Sequence, residues 1–180
     1  MNRLLKMLLA FAVTGLLAAA PAMAAGAHIL DEDAQAALTS LYSNHAGAKA
    51  LGDKAIGILV FPSVTKAGFI LGAHGGDGVL FEKGKISGHY NSGALSVGLQ
   101  AGVQAYGYAL FFMTPQDLAY LKKSNGWSLG VGPSIVVADA GFGKDASTLT
   151  GQKGVYAFIF DQKGLMAGLG LVGQKISPIK

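Results

Sequence analysis

The side chains able to do chemistry in this 180-residue chain are few and scattered. There are four histidines, ten carboxylates and no cysteine. His74 and Asp77 stand among Gly72, Gly75, Gly76 and Gly78, and a glycine-rich turn carrying polar side chains can hold a metal, with His89 and Asp139 as further ligands. No ligand spacing there matches a known metal pattern, so we read the segment as a hairpin turn with exposed polar residues. A metal-dependent enzyme around His74, Asp77 and His89 is the weakest of three functional readings. Ser63, Ser92, Ser96 and Ser134 all lie outside the G-x-S-x-G elbow of a nucleophilic serine. No carboxylate pair stands out as an acid/base couple. Gly168-Leu169-Gly170-Leu171-Val172-Gly173 fits the dinucleotide fingerprint in letters. It fails in context, because the fingerprint needs a following helix and an acidic residue about 20 positions on. The expectation is a non-enzyme without a cofactor.

The elements that must position these groups start after a leader. Arg3 and Lys6 precede an apolar run from Met7 to Ala20, and Ala22-Met23-Ala24 is a small-x-small cleavage site. That layout is a secretory signal peptide over residues 1–24, cut between Ala24 and Ala25. The run is shorter than the roughly 20 residues of a spanning helix. Residues 25–180 then form one domain, with 12 lysines, no arginine and ten acidic residues. Without arginine there are no bidentate phosphate clamps, although lysines can hold an anionic surface as point charges. The weak positive balance and the lack of a basic run argue against nucleic acid. With no cysteine the chain has no disulfide, no thiol chemistry and no lipid anchor through an N-terminal cysteine.

Asp31 to about His45 carries a helical stripe of Ala34, Leu38, Leu41 and Tyr42, with Asp31, Glu32 and Asp33 suited to its N-terminus. A short second turn or helix is expected over Lys49–Lys54. Strands follow at Ile56–Phe61, stopped by Pro62, then at Ala67–His74, Val79–Glu82 and Ile86–Asn91, the last two joined by a turn at Glu82–Lys85. Leu95–Phe111 alternates strictly, with Leu95, Val97, Leu99, Ala101 and Val103 on one face and Ser96, Gly98, Gln100, Gly102 and Gln104 on the other. A straight strand of that length would exceed 50 Å at about 3.3 Å per residue, so it must bend or break at its glycines. Thr114, Pro115 and Asp117 announce a second helix by its cap. Trp127–Val137 reads as a strand with some irregularity at Pro133, Val155–Phe160 as an inner strand, and Asp161–Gly164 as a hairpin turn into Leu165–Ile176. The fold class is α+β: a predominantly antiparallel, curved or barrel-like sheet with an N-terminal helix and one inserted helix.

Several segments, in order, resemble the SYLF domain: Leu59-Val60-Phe61-Pro62 with Lys66-Ala67-Gly68-Phe69, Gly98-Leu99-Gln100-Ala101-Gly102, Phe111-Phe112-Met113-Thr114, Gly126-Trp127, and Gly164 to Leu171. The resemblance runs from Asp31 to Ile179. It implies binding to phospholipid or another anionic lipid at a membrane surface, with Lys49, Lys54 and Lys66 as lipid-contacting candidates. Fungal members also bind actin, a partner not expected for a chain with an export leader. The resulting expectation is an exported, periplasmic protein, soluble or peripherally membrane-associated. The alternative is an outer-membrane β-barrel or structural envelope protein, favoured by the long alternating stretch. Nothing in the sequence speaks to oligomeric state.

Overall fold

The first described element, α1 (Ala19–Asn44), starts well before the three acids expected to open it. The computed structural model describes residues 19–68, 71–97, 102–123, 126–138, 154–163, 171 and 173–180. The alanine-rich segment before Asp31 is strongly helix-forming, so the helix extends through it and takes in Ala24 and Ala25. Asp31 consequently lies mid-helix and serves a tertiary contact, with His89 Nε2 2.7 Å from its Oδ1. Ala34, Leu38 and Leu41 are buried, as the stripe requires. A short helix, α2 (Ala46–Gly52), adds Ala48 and Leu51 to the same layer.

Eight strands follow: β1 (Gly57–Gly68), β2 (Leu71–Glu82), β3 (Lys85–Val97), β4 (Gly102–Phe112), β5 (Trp127–Ser128), β6 (Ile135–Ala138), β7 (Val155–Lys163) and β8 (Lys175–Pro178). Helix α3 (Pro115–Lys123) is inserted after β4. Its cap is the one expected: the Asp117 N–H donates to Thr114 Oγ1 at 3.2 Å, and the Thr114 hydroxyl donates to Asp117 Oδ2 at 2.6 Å. The strands form one sheet in the order β5-β8-β3-β2-β1-β4-β7-β6, antiparallel except for the β6–β7 pair. The fold is therefore the α+β class expected, a strongly curled half-barrel.

The curl can be read from side chains. β5 and β4 are five positions apart in the sheet, about 24 Å if it were flat at about 4.8 Å per strand. Yet the Trp127 and Phe112 rings are 6.0 Å apart. The face carrying Phe61, Leu80, Tyr108, Leu110, Phe112, Trp127 and Ile176 is thus the inside of the curl. The outer face, with Val60, Val79, Phe111 and Phe158, packs against α1 and α2. The barrel alternative does not match this arrangement of the described residues, in which β5 and β6 are the edges of the sheet and helices cover its outer face. No helix among the described residues is long and apolar enough to cross a membrane.

Four strand boundaries differ from expectation, each for a tertiary reason. β1 does not stop at Pro62. It runs on to Gly68, and the ladders on both of its sides shift register around that proline, which sits in a bulge where no ladder N–H is needed. β2 passes straight through Gly75-Gly76-Asp77-Gly78, so the expected turn there is a strand. A Cβ on Gly76 would collide with the Ser63 carbonyl oxygen and lie 3.0 Å from Val64 Cα, and one on Gly78 would lie 2.7 Å from the Val60 oxygen. These glycines let β2 lie against the bulged strand. Trp127–Val137 splits into β5 and β6 on opposite edges of the sheet, because the chain turns back at Gly130 and Gly132, both at positive φ. Finally, Asp161 (φ 51°) is not a hairpin turn. β7 continues to Lys163, and the β4–β7 register slips beside Asp161, between Ala105 and Gly107. The long alternating stretch does break, into β3 and β4, with residues 98–101 outside the described set. The fingerprint-like Gly168–Gly173 segment falls outside it too, apart from Leu171 and Gly173.

Candidate functional site

Bulge and curl together leave the ends of β1–β4 projecting past both the helical layer and the inner core. Register fixes what each face of those ends carries. On the inside, Ser92 pairs with Gly76 and Val64 with Tyr106; one row further out, Ala94, His74, Lys66 and Gln104 stand side by side across four strands. Beyond them Gly72, Gly68 and Gly102 form a row without side chains. On the outside, the matching row is Leu95, Ala73, Ala67 and Val103. Leu95 is 89% exposed and Val103 67%. Among the described residues of Leu95–Phe111 the alternation is realised: Leu95, Val103 and Phe111 face outward, Phe111 covered and Leu95 bare, while Gln104 and Tyr106 line the curl.

Below the His74 row lies a buried hydrogen-bonded chain. The Tyr108 hydroxyl donates to Ser92 Oγ at 2.7 Å, Ser92 donates to Gln174 Oε1 at 2.9 Å, and Gln174 Nε2 donates to the Tyr106 oxygen at 2.9 Å. Ser92 and Gln174 are buried, so each needs such partners. Burial raises the Tyr108 hydroxyl's pKa well above the usual range, with the Ser92 contact acting weakly against it. These hydroxyls are therefore neutral fixtures that tie β8 into the curl. The inward row above them differs. His74 Nδ1 is buried with no hydrogen-bond partner among the described residues. Burial, and next the Lys66 ammonium, lower the His74 pKa.

The three lysines named from sequence do not form one cluster. Lys49, on α2, is held by Asp53 at 2.5 Å and lies 5.7 Å from the centre of the Tyr42 ring. That carboxylate, after burial itself, helps push the Tyr42 hydroxyl up to about 12. Lys54 is exposed in the turn after α2. Lys66 alone lies in the curl. The ion pairs among the described residues are His28–Glu32, Lys49–Asp53, His89–Asp31 and Lys122–Glu82, and Lys66 belongs to none of them.

The proposed metal set is divided as well. His74 points into the curl, whereas Asp77 and His89 share a cleft of about 440 Å³ on the other face beneath α1. Asp139 lies outside the described residues. A larger cleft of about 1010 Å³ between α1 and the β2–β3 turn is lined by Asp31, Glu32, Phe81 and Ile86 among others. Its wall carries Lys85 and His28 as well as the two carboxylates, so it offers no one-signed field for an anion.

Sequence reasoning missed His74 as the neighbour of Lys66, because the glycines around it read as a turn. The signal was present in the i, i+2 spacing of His74, Gly76, Gly78 and Leu80, but only the β1 bulge explains why the two glycines sit in one strand.

Residues 93–180 match the family described as Ysc84, Las17-binding protein actin regulator. The match begins within β3 and runs through β8. No curated protein matches the chain.

Proposed function

Because this chain belongs to the SYLF family through residues 93–180, we propose that it is an exported, non-enzymatic protein that docks on anionic phospholipid membranes through the free ends of β1–β4. The family is one of lipid-binding and actin-regulating domains. The observation that carries the reading is the bare outer row, Leu95-Ala73-Ala67-Val103, with cationic Lys66 on the reverse side of the same strand ends. Large apolar side chains held away from both cores mark a surface for an apolar partner. The leader pattern of residues 1–24, with its Ala24–Ala25 cleavage point, supports export to the periplasm, and the intact mass of the periplasmic form tests it.

Magnitudes make this a reversible attachment. Full burial of a leucine or valine side chain contributes about 1.5–3 kcal/mol, and a lysine near an anionic surface about 1 kcal/mol. Two apolar side chains and one or two lysines then give a weak, salt-sensitive hold. Lys54 can add to it. Lys49 adds less, its charge being already answered by Asp53. Co-sedimentation of residues 25–180 with phosphatidylglycerol-containing and pure phosphatidylcholine vesicles tests the reading. Pelleting is expected with the first alone, weaker in high salt, and reduced at least fivefold by Leu95→Ser with Val103→Ser. Absence from both pellets, or indifference to the double substitution, would count against it.

A further inference from the structure

Lys66 and His74 are direct cross-strand partners on the inside of the curl, and a Cβ–Cβ separation of about 5 Å follows from that register. Two cation-forming groups placed opposite each other destabilise a sheet unless something negative lies between them. Among the described residues nothing supplies that charge. Lys66 joins no ion pair among the described residues. The other described groups facing His74 in the curl are uncharged: Ala94 and Ser92 from β3, and Gln104 and Tyr106 from β4. His74 also keeps a buried ring nitrogen without a partner among the described residues. The β1 bulge fills the inner side of the row at Gly76, while towards the strand ends the row is bordered by Gly72, Gly68 and Gly102, which bring no side chain over it.

We infer that the Lys66–His74 row is a binding site for a phosphate-class oxyanion, a phosphomonoester or inorganic phosphate, which His74 takes up a proton to hold. The charge count favours this class. A phosphomonoester carries between one and a half and about two negative charges near neutral pH. The Lys66 ammonium supplies one positive charge, and a protonated imidazole supplies the second. Phosphate oxygens accept from both Lys66 Nζ and an imidazole N–H, and the protonated ring has two such donors. Without an anion, burial and Lys66 keep His74 neutral; with one, the balance reverses and its pKa rises. One proton taken up per anion makes affinity fall about tenfold per pH unit between the free and bound pKa values of His74.

The inference deepens the membrane reading above, since a phosphomonoester headgroup would enter from the strand ends, but it can fail separately. The test is a histidine-resolved NMR titration of residues 25–180 with inorganic phosphate, in parallel with vesicles containing phosphatidic acid. Phosphate should shift the His74 ring signals in a saturable way and raise the His74 pKa by about one unit or more. His28, His45 and His89 should stay unmoved. Lys66→Gln should weaken phosphate binding about tenfold, Lys66→Arg should restore it, and thermal melts identify any variant that fails to fold. Failure of phosphate up to about 50 mM to move His74 overturns the site, even if vesicles still bind through Leu95 and Val103. Phosphate binding without vesicle binding supports the site, assigns it to a soluble ligand and overturns the membrane reading.

Discussion

Gly75 and Gly76 are chain neighbours in one strand, neither at positive φ, yet alanine at the two positions should have opposite effects. At Gly75 the nearest atom to an added Cβ is the Ser92 carbonyl oxygen at 3.6 Å, an ordinary contact. Alanine there removes unfolded-state freedom and should change stability by no more than about 0.5 kcal/mol, or raise it by up to about 1 kcal/mol. At Gly76 the methyl meets the Ser63 carbonyl oxygen, Val64 Cγ2 at 2.9 Å and Val64 Cα at 3.0 Å. Two of these three are backbone atoms of the β1 bulge, which no rotamer change can move. Overpacking of that kind costs about 1–3 kcal/mol, and backbone obstruction argues for the upper half of the range. Urea unfolding followed by tryptophan fluorescence is a suitable assay, since Trp127 is buried in the inner core. With a slope of about 2 kcal/mol/M, Gly76→Ala should lower the midpoint by about 1 M, and thermal midpoints should fall by about 4–12 °C. Similar midpoints for the two variants would refute the claim that these glycines exist to let β2 pass the bulge.

Two further outcomes test the polar parts of the fold. Ser92→Ala strands the buried Tyr108 hydroxyl and a Gln174 oxygen, and should cost about 1–3 kcal/mol in urea unfolding; adding Tyr108→Phe should recover part of that loss, whereas strict additivity would mean the hydrogen-bonded chain is not a unit. Burial works to raise the Glu82 pKa, but hydrogen bonds from Lys122 and Ser87 hold it below 4.5, so its contribution is present above that value and lost as pH falls below it. The stability gap between wild type and Lys122→Gln should therefore be open at pH 7 and narrow towards pH 3.5, and a gap constant across that range would dismiss the linkage.

What the sequence made legible was local. Thr114-Pro115-Asp117 specifies a helix start within four residues, and the cap forms as read. Alternation put Leu95 and Val103–Phe111 on their proper faces where the stretch is described, because period two survives curvature. What it concealed was set by neighbours. Pro62 looks like a stop when only its own strand is considered, and Gly75–Gly78 looks like a turn. They are one feature seen on two strands, a bulge and the clearance it demands. Trp127–Val137 signals its break at Gly130, Gly132 and Pro133, but its halves join opposite edges of the sheet, and nothing local records which edge each half will find. The site followed the same division. Lys66 could be named from sequence, while its apposition to His74 depended on the register that the bulge creates. Lys49 could also be named, but not its neutralisation by Asp53 one helical turn on.

The place of β8 bears on how the chain matures. Lys175–Pro178, the latest strand among the described residues, is not at a margin: it sits between β5 and β3 and delivers Gln174 and Ile176 to the interior. The ribosome has therefore produced almost every other segment before this one can dock. Closures across such long separations are slow, because chain entropy is lost before the contacts that compensate are made. A polypeptide bound for a secretion channel, which must be threaded in a loose form, would gain from that delay. The topology would act as a timer, holding back the locked state until β8 has emerged.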